Sequence, residues 1–326
     1  MNLGIYLDLR NPPQWRQEWS RLYGFALDVC QEADQLGAHS IWLSEHHLFD
    51  DGYLPQPLTF AAAVAARTRR VRIGTAVLIA PFRPAIQIAE EAAIIDALSC
   101  GRLDLGLGAG YRQPEFDAFG ADLRKRYTTT DERVRTLRKL WSAGQLLPPP
   151  TQEHLPIWLG YNGPKGARRA GVLGEGLLSI RPELYAPYRQ GLIDGGHDPA
   201  SGRMAGTVNA FVTDDPEGDW PEVAKHHAYQ WDSYFDHMAR DTDRVRRRPI
   251  DATRSREAGI RGGLSSLVYG TPPEVAHSIS TYICEVPVET VFIWASIGGM
   301  REEMTMRHVQ AICTRLAPLM TAFKAD

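Results

Sequence analysis

Short apolar runs alternate with longer amphipathic stretches along nearly the whole chain. A brief apolar run bounded by turn residues suits a strand buried in a parallel sheet, and a 3.6-residue apolar period suits a helix covering it. The runs predict eight strands: Leu3–Leu9, Ser40–Glu45, Val71–Val77, Arg102–Leu107, Pro156–Gly160, Gly176–Ile180, Ala205–Val212 and Thr290–Trp294. Between and after them the pattern predicts helices at Arg21–Leu36, Leu58–Arg67, Ala85–Leu98, Asp131–Trp141, Lys165–Leu173, Glu183–Ile193, Pro273–Glu285 and Glu302–Phe323. Ser20 is placed to cap the first helix and Gly37 to close it. Thr130-Asp131 is placed to open the fourth, and Pro272-Pro273 sits where a helix start tolerates a missing N–H.

Eight strand-then-helix units close most economically into a (β/α)8 TIM barrel, an α/β fold occupying residues 1–326 as one domain. A doubly wound open sheet is the structural alternative. The spacing breaks once, at residues 213–271, a polar excursion after the seventh strand that includes the arginine-rich stretch Arg240–Arg261. It reads either as an active-site lid or as a solvated helical insertion.

Composition narrows the classes. The 326 residues carry a formal net charge of −3, with 44% hydrophobic and 23% charged positions, which argues against a nucleic-acid or anionic-membrane surface as the main partner. Cys30, Cys100, Cys284 and Cys313 form no CxxC pair, so neither a disulfide framework nor a zinc knuckle is written here. The start MNLGIYLDLR has no basic region followed by an apolar run, and no stretch is apolar for long enough to span a bilayer. A cytoplasmic protein without a membrane segment is expected.

In a barrel, chemistry gathers on the loops at the carboxyl ends of the strands. Gly160-Tyr161-Asn162-Gly163-Pro164 leads into a helix whose first N–H groups are free, so the turn reads as a phosphate cradle or as an ordinary strand-to-helix turn. GLGAG at Gly106–Gly110 is only a fragment of a dinucleotide fingerprint. In Glu45-His46-His47, adjacent side chains face opposite ways, so one imidazole points into the barrel mouth. That histidine is placed for proton work near neutral pH; metal ligation and two satisfied polar residues are the other readings, and no second ligand cluster at metal spacing follows. The remaining histidines, His39, His154, His197, His226, His227, His237, His277 and His308, read as surface positions, and Cys100 as a packed helix-end residue.

The motifs resemble those of the bacterial luciferase-like flavin-dependent oxidoreductases. The matching runs are Trp42–His47, Asp51–Pro55, Arg72–Leu78, Ala89–Ala92, Gly101–Tyr111, Glu115-Phe116, Phe119-Gly120, Pro156–Gly160 and Gly270–Ala276. The resemblance is collinear to about residue 120, clear at 156–176 and 270–295, and thin between 183 and 265. It implies a barrel binding reduced FMN, or its deazaflavin counterpart, in the mouth. It further implies a flavin-dependent monooxygenase acting with O2 on a small organic substrate, with His46 assisting the peroxyflavin, a separate flavin reductase as partner and a homodimeric assembly. The family's cofactor contacts map onto Thr75, Ala76, Val77, Gly108, Gly160, Tyr161, Asn162 and Gly163, with a cis peptide at Ala76-Val77 and no metal. Arg124 and Arg126 stand by for the phosphate, because Tyr161-Asn162-Gly163 lacks the hydroxyl donors many relatives carry there. Phe49, Tyr53, Phe82 and Tyr111 are placed to shape an apolar pocket. Gly108 and Ala109 replace the reactive cysteine and arginine of the luciferases, so light emission is not implied. A deazaflavin-dependent hydride-transfer enzyme and a non-catalytic flavin-binding homologue are the alternatives.

Overall fold

Strand β1 (Asn2–Leu7) buries five of its six residues, because it lies between two neighbours inside a sheet closed on itself. The computed structural model describes residues 1–144, 146–240 and 248–322. The other barrel strands are β2 (Ser40–Leu43), β3 (Arg72–Thr75), β4 (Leu78–Ile79), β5 (Leu103–Gly108), β6 (Ile157–Leu159), β7 (Gly176–Leu178) and β8 (Met204–Val208); β9 (Ala210–Val212) and β10 (Val268–Gly270) stand outside, and β11 (Val288–Trp294) completes the ring. Every ladder is parallel. Both β3 and β4 pair with β5, at Ile73↔Leu103 and Leu78↔Leu107, so they are one strand interrupted at Ala76-Val77. Counted so, the barrel is the eight-stranded parallel one expected, and the open-sheet alternative is excluded.

The helices are α1 (Trp19–Gln35), α2 (Pro57–Arg67), α3 (Ala85–Leu98), α4 (Gln113–Phe119), α5 (Arg126–Ser142), α6 (Gly163–Val172), α7 (Tyr185–Asp194), α8 (Pro216–Ala239), α9 (Ala252–Ala258), α10 (Pro272–Ile283), α11 (Glu302–Ala311) and α12 (Ala317–Ala322). A π turn, Ile312–Leu316, joins the last two into the single terminal helix expected, of which Phe323 lies outside the described residues. Among the described residues no helix is long and apolar enough to cross a membrane.

Several local expectations fail for identifiable reasons. Helix α1 begins at Trp19 with Glu18 before it, so Ser20 lies inside the first turn and caps nothing. Helix α5 begins five residues ahead of Asp131, and Thr130 instead donates to the Arg126 carbonyl at 2.8 Å. The seventh strand is two. After Val208 the chain leaves the barrel at Asn209, whose carbonyl accepts from Val268 and whose side-chain amide donates to the Ser266 carbonyl, drawing β9 into a separate ladder with β10. The excursion is accordingly helical and folded back, through α8 and α9, except for residues 241–247 of the arginine-rich stretch, which lie outside the described residues. Cys100 is exposed at a left-handed φ of 56°, ending α3 rather than packing.

Side chains alternate between two cores, as strand geometry requires. Ile5, Leu7, Ile41 and Leu43 face the helices, whereas Tyr6, Trp42, Trp158, Phe292 and Trp294 fill the barrel. Trp42 stacks on Phe292 with ring centres 4.7 Å apart. Such bulk fits because glycine faces it: a Cβ on Gly74 would stand 2.3 Å from the Trp42 ring.

Gly106→Ala tests the tightest contact, since its Cβ would lie 1.7 Å from the Thr75 carbonyl oxygen, a backbone atom in the neighbouring strand. The expected loss is about 3 kcal/mol or more in urea unfolding. Gly24→Ala in α1, where a Cβ meets open space, should instead gain about 0.5–1 kcal/mol.

Candidate active site

Four consecutive strand ends open onto one cleft of about 180 Å3. Glu45 and His46 follow β2, Ala76 and Val77 separate β3 from β4, Gly108 ends β5 with Ala109–Tyr111 after it, and Gly160 and Asn162 follow β6; Tyr127 of α5 completes the lining. The strand ends are held in register by the ladders, so the cleft inherits the rigidity of the barrel.

The turn after β2 is fixed by a buried carboxylate. Glu45 accepts from Arg83 at 2.7 Å, from His47 Nε2 at 2.8 Å and from the Ile79 N–H at 2.6 Å. Arg83 is fixed in turn by donating to Gln56 Oε1 at 2.8 Å. With His47 tied to Glu45, the adjacent His46 lines the cleft, so one imidazole of the pair faces the mouth as alternation predicted, and it is the one the resemblance singled out. A second carboxylate backs it. Glu115 accepts from the His47 N–H and from Arg112, both at 2.9 Å, and its Oε1 stands 3.5 Å from His46 Nδ1. At that separation the two groups form an ion pair only when the imidazole is protonated, and the distance is too long for a good hydrogen bond, which leaves His46 Nδ1 without a hydrogen-bond partner. Burial, the largest influence on Glu115, pushes its carboxyl up, yet His46, the His47 N–H and Arg112 together hold it below the usual carboxylate range.

Aromatic rings surround the imidazole: Tyr53 at 4.5 Å, Phe49 at 5.1 Å, and Tyr111 and Tyr234 at about 6 Å between centroids. Tyr234 comes from α8, and its hydroxyl meets that of Tyr111. Burial pushes the Tyr53, Tyr111 and Tyr234 phenols up, so they remain neutral donors. The peptide between Ala76 and Val77 is cis, where the resemblance placed it, and Tyr6 donates to the Ala76 carbonyl at 3.3 Å.

The sequence-predicted residues divide into two sets. His46, Ala76, Val77, Gly108, Gly160 and Asn162 line the cleft together. Thr75 exchanges hydrogen bonds with Gly106 across the ladder, at 2.7 and 3.0 Å, and Tyr161 turns its hydroxyl to Asp131 at 2.7 Å, so neither side chain faces it. Gly163 starts α6 with a φ of 72°. The glycines at 108 and 160 matter for a reason the sequence does not reveal: a Cβ on either would strike the Val77 side chain, at 2.2 and 2.5 Å. Phe82 is not a wall of the cleft; it stacks on Phe119 and packs against Phe116, on the far side of His47. Arg124 is exposed, and Arg126 lies over the Tyr127 ring at 4.7 Å.

Four histidines read as surface positions are buried. His226 meets the Gly298 carbonyl, His227 the Ser255 hydroxyl, His237 the Ser233 carbonyl and His308 the Trp294 carbonyl. Polar residues on a helix look alike in sequence whichever face is covered. Sequence reasoning also missed Tyr127, Tyr234, Glu115 and the buried group under the aromatic wall. There Arg10 donates to Asp51 at 2.7 Å and to the Gln230 carbonyl of α8 at 2.8 Å, pinning the helix over the mouth, while both oxygens of Asp8 are buried and unpaired.

Comparison with known proteins agrees with this architecture. The family model for luciferase-like monooxygenases matches residues 1–284. Over 170 residues the chain is 34% identical to the oxygenase component of a flavin-dependent trigonelline monooxygenase of Acinetobacter baylyi, covering 46% of each chain. Over 173 residues it is 31% identical to an F420-dependent glucose-6-phosphate dehydrogenase of Amycolatopsis mediterranei, covering 47% of this chain and 52% of that one. The matched region thus spans about half the length of these relatives. Among solved structures, the monooxygenase RslO1 of Streptomyces bottropensis superposes with a TM-score of 0.76 at 24% identity, covering 98% of this chain and 99% of its own.

Asp8 generates a pH test. Burial raises its carboxyl from 3.8 to about 7, against the pull of Arg10 and with repulsion from Asp51. Between those values the folded chain keeps a proton that the unfolded chain has released, so this group's contribution to stability is lost as pH rises through about 7. His227 and His308, lowered to about 4 by burial, act oppositely, adding stability as pH rises toward 6.5. Their effect cancels between wild type and Asp8→Asn. The stability of Asp8→Asn relative to wild type should therefore climb from pH 4 to pH 7 and then level off, as read by urea unfolding at each pH.

Proposed function

The chain belongs to the luciferase-like monooxygenase family, and we propose that it is a flavin-dependent monooxygenase that uses reduced FMN and O2 to oxygenate a small organic substrate. The observation that carries this reading is the cleft itself, in which a carboxylate-backed imidazole, within an aromatic enclosure, shares the walls with Ala76, Val77 and two glycines. The residues present fit a flat, largely apolar ring bearing an anionic tail. Backbone and the Val77 side chain form the floor between Gly108 and Gly160, and the Asn162 side chain, at the start of α6, makes no capping bond and is open to a ligand. Bound there, a reduced flavin supplies the electrons that split O2, one atom entering the substrate and the other leaving as water.

This chain's residues would serve that chemistry in three ways. His46 holds or moves a proton at the ring edge, with Glu115 steadying the positive imidazole. Tyr6, by holding the Ala76 carbonyl, fixes the peptide on which the ring rests. Phe49, Tyr53, Tyr111 and Tyr234 keep water from the reacting atoms, which an oxygen-activating site requires. A separate flavin reductase as partner follows from the same proposal, supported by the name of the Acinetobacter relative, an oxygenase component. A homodimeric assembly belongs to it as well. Hydride transfer with a deazaflavin is the second reading, favoured by the name of the Amycolatopsis relative.

Anaerobic titration of the purified protein with reduced FMN, and in parallel with reduced F420, decides between them; tighter binding of FMN and substrate-coupled O2 uptake are expected. Failure to bind either ring removes the proposal. His46→Ala should bind reduced FMN within about threefold of wild type while coupled turnover falls about a hundredfold or more. Unchanged turnover would take His46 out of the chemistry.

A further inference from the structure

The cleft takes the ends of β2, β3, β5 and β6, which is half of the ring. The other half, made by β7, β8, β11 and β1, is where a substrate would lie beside a ring held in the cleft. Two side chains on this half are buried without partners. On β1, Tyr6 faces the barrel core and Leu7 the helices, so Asp8, the next residue, faces inward again, one step nearer the mouth. Asp8 is 1% exposed, and neither of its oxygens makes a hydrogen bond among the described residues. On α8, Gln230 stands four residues before Tyr234, one turn along the same helix face. It too is 1% exposed, and neither its Oε1 nor its Nε2 is bonded. Polar atoms buried in this way cost stability that apolar residues of the same shape would not, and a ligand that completes their bonds is recognised by doing so.

Arg10 joins the two positions to each other and to the cleft. Its Nε donates to Asp51 at 2.7 Å, one terminal nitrogen to the Gln230 carbonyl at 2.8 Å and the other to the Ser233 hydroxyl at 2.7 Å. The Tyr53 ring lies 4.9 Å from the Arg10 guanidinium and 4.5 Å from the His46 ring, so it touches both this group and the cleft. The chemistry on offer is acceptor-rich. Asp8, Asp51 and Gln230 present four unbonded oxygens and one unbonded amide nitrogen, and the guanidinium among them already donates from all three of its nitrogens. A carboxylate entering here meets two others and a committed cation, whereas an O–H or N–H group meets acceptors. We propose that Asp8 and Gln230 anchor the polar end of the substrate, which is a flat, apolar-bodied molecule bearing an O–H or N–H donor and not a carboxylate. This rests on the ring lying in the cleft as proposed above.

The test titrates the full chain, saturated with FMN, with 4-ethylphenol, 4-ethylaniline, 4-ethylbenzoate and 4-ethyltoluene, which share one frame and differ at the polar end. Calorimetry is run on wild type, Asp8→Asn and Gln230→Leu at pH 8, above the value of about 7 to which burial raises Asp8. Each substitution relieves a buried unpaired group, so both variants are expected to fold. Wild type is expected to bind the phenol and the aniline about tenfold or more tighter than the benzoate and the toluene. Asp8→Asn, which exchanges an accepting oxygen for a donating amide, should lose that preference and bind the benzoate more tightly. Gln230→Leu should weaken both donors about threefold or more and leave the toluene unchanged. A role in packing alone would move all four probes together. Equal binding of the phenol and the toluene by wild type, or the wild-type preference retained in both variants, overturns the anchor. Binding of none of the four by the flavin-loaded chain overturns it too, and each of these outcomes leaves the ring reading standing. If the chain takes up no flavin, the ring reading falls and the substrate assignment with it.

Discussion

The cleft depends on one buried carboxylate. Glu45 stands where β2 gives way to a turn, and three donors from different parts of the chain converge on it: the Arg83 guanidinium, the His47 ring and the Ile79 N–H. A charge withdrawn from water persists only when its lone pairs are filled this completely. The arrangement also welds the turn after β2 to the resumed strand at β4, so the interruption at Ala76-Val77 is braced on both sides. By claiming His47, Glu45 leaves His46 to face the opposite way. Orientation of the cleft imidazole is thus a consequence of where its neighbour is tied.

Below the cleft, the barrel solves a packing problem with residues of opposite size. Trp42, Trp158 and Phe292 fill the interior where β3 and β7 contribute glycine, and Trp158 gives its indole N–H to Asp104. Asp104 also accepts from Arg72 at 2.5 Å, so the polar groups inside the tube are matched. Above the cleft the opposite holds. Both carboxylate oxygens of Asp8, Oδ1 of Asp51 and the side-chain amide of Gln230 are buried and unpaired where α8 crosses the mouth. Unmatched polar atoms gather at the functional end, and a well-satisfied core supports them from beneath.

Much of this was legible from residue order. The eight strand-and-helix units, the exit of one imidazole of the His46-His47 pair into the barrel mouth and the gathering of the turns at 108 and 160–162 at neighbouring strand ends follow from alternation and connectivity, whereas His46 itself and residues 76–77 were marked by the family resemblance. The departure of β9 from the barrel was not legible. Val208 and Phe211 are equally strand-like, and only the ladder with β10, more than fifty residues later, assigns them to different sheets. Likewise His226, His227, His237 and His308 occupy polar-looking helices whose buried face is set by contacts distant in sequence.

Residue order by itself determined the barrel, the end of it that bears the cleft and the histidine pair of which one member lines that cleft, because period-two alternation and strand-to-helix linkage are local properties of the chain. Tertiary structure alone decided which carboxylate backs His46, that glycines 108 and 160 make room for Val77, and that Tyr234 closes the aromatic wall. Those outcomes rest on side chains separated by tens to nearly two hundred positions, and their meeting depends on closure of the sheet and the path of α8, which no local pattern encodes.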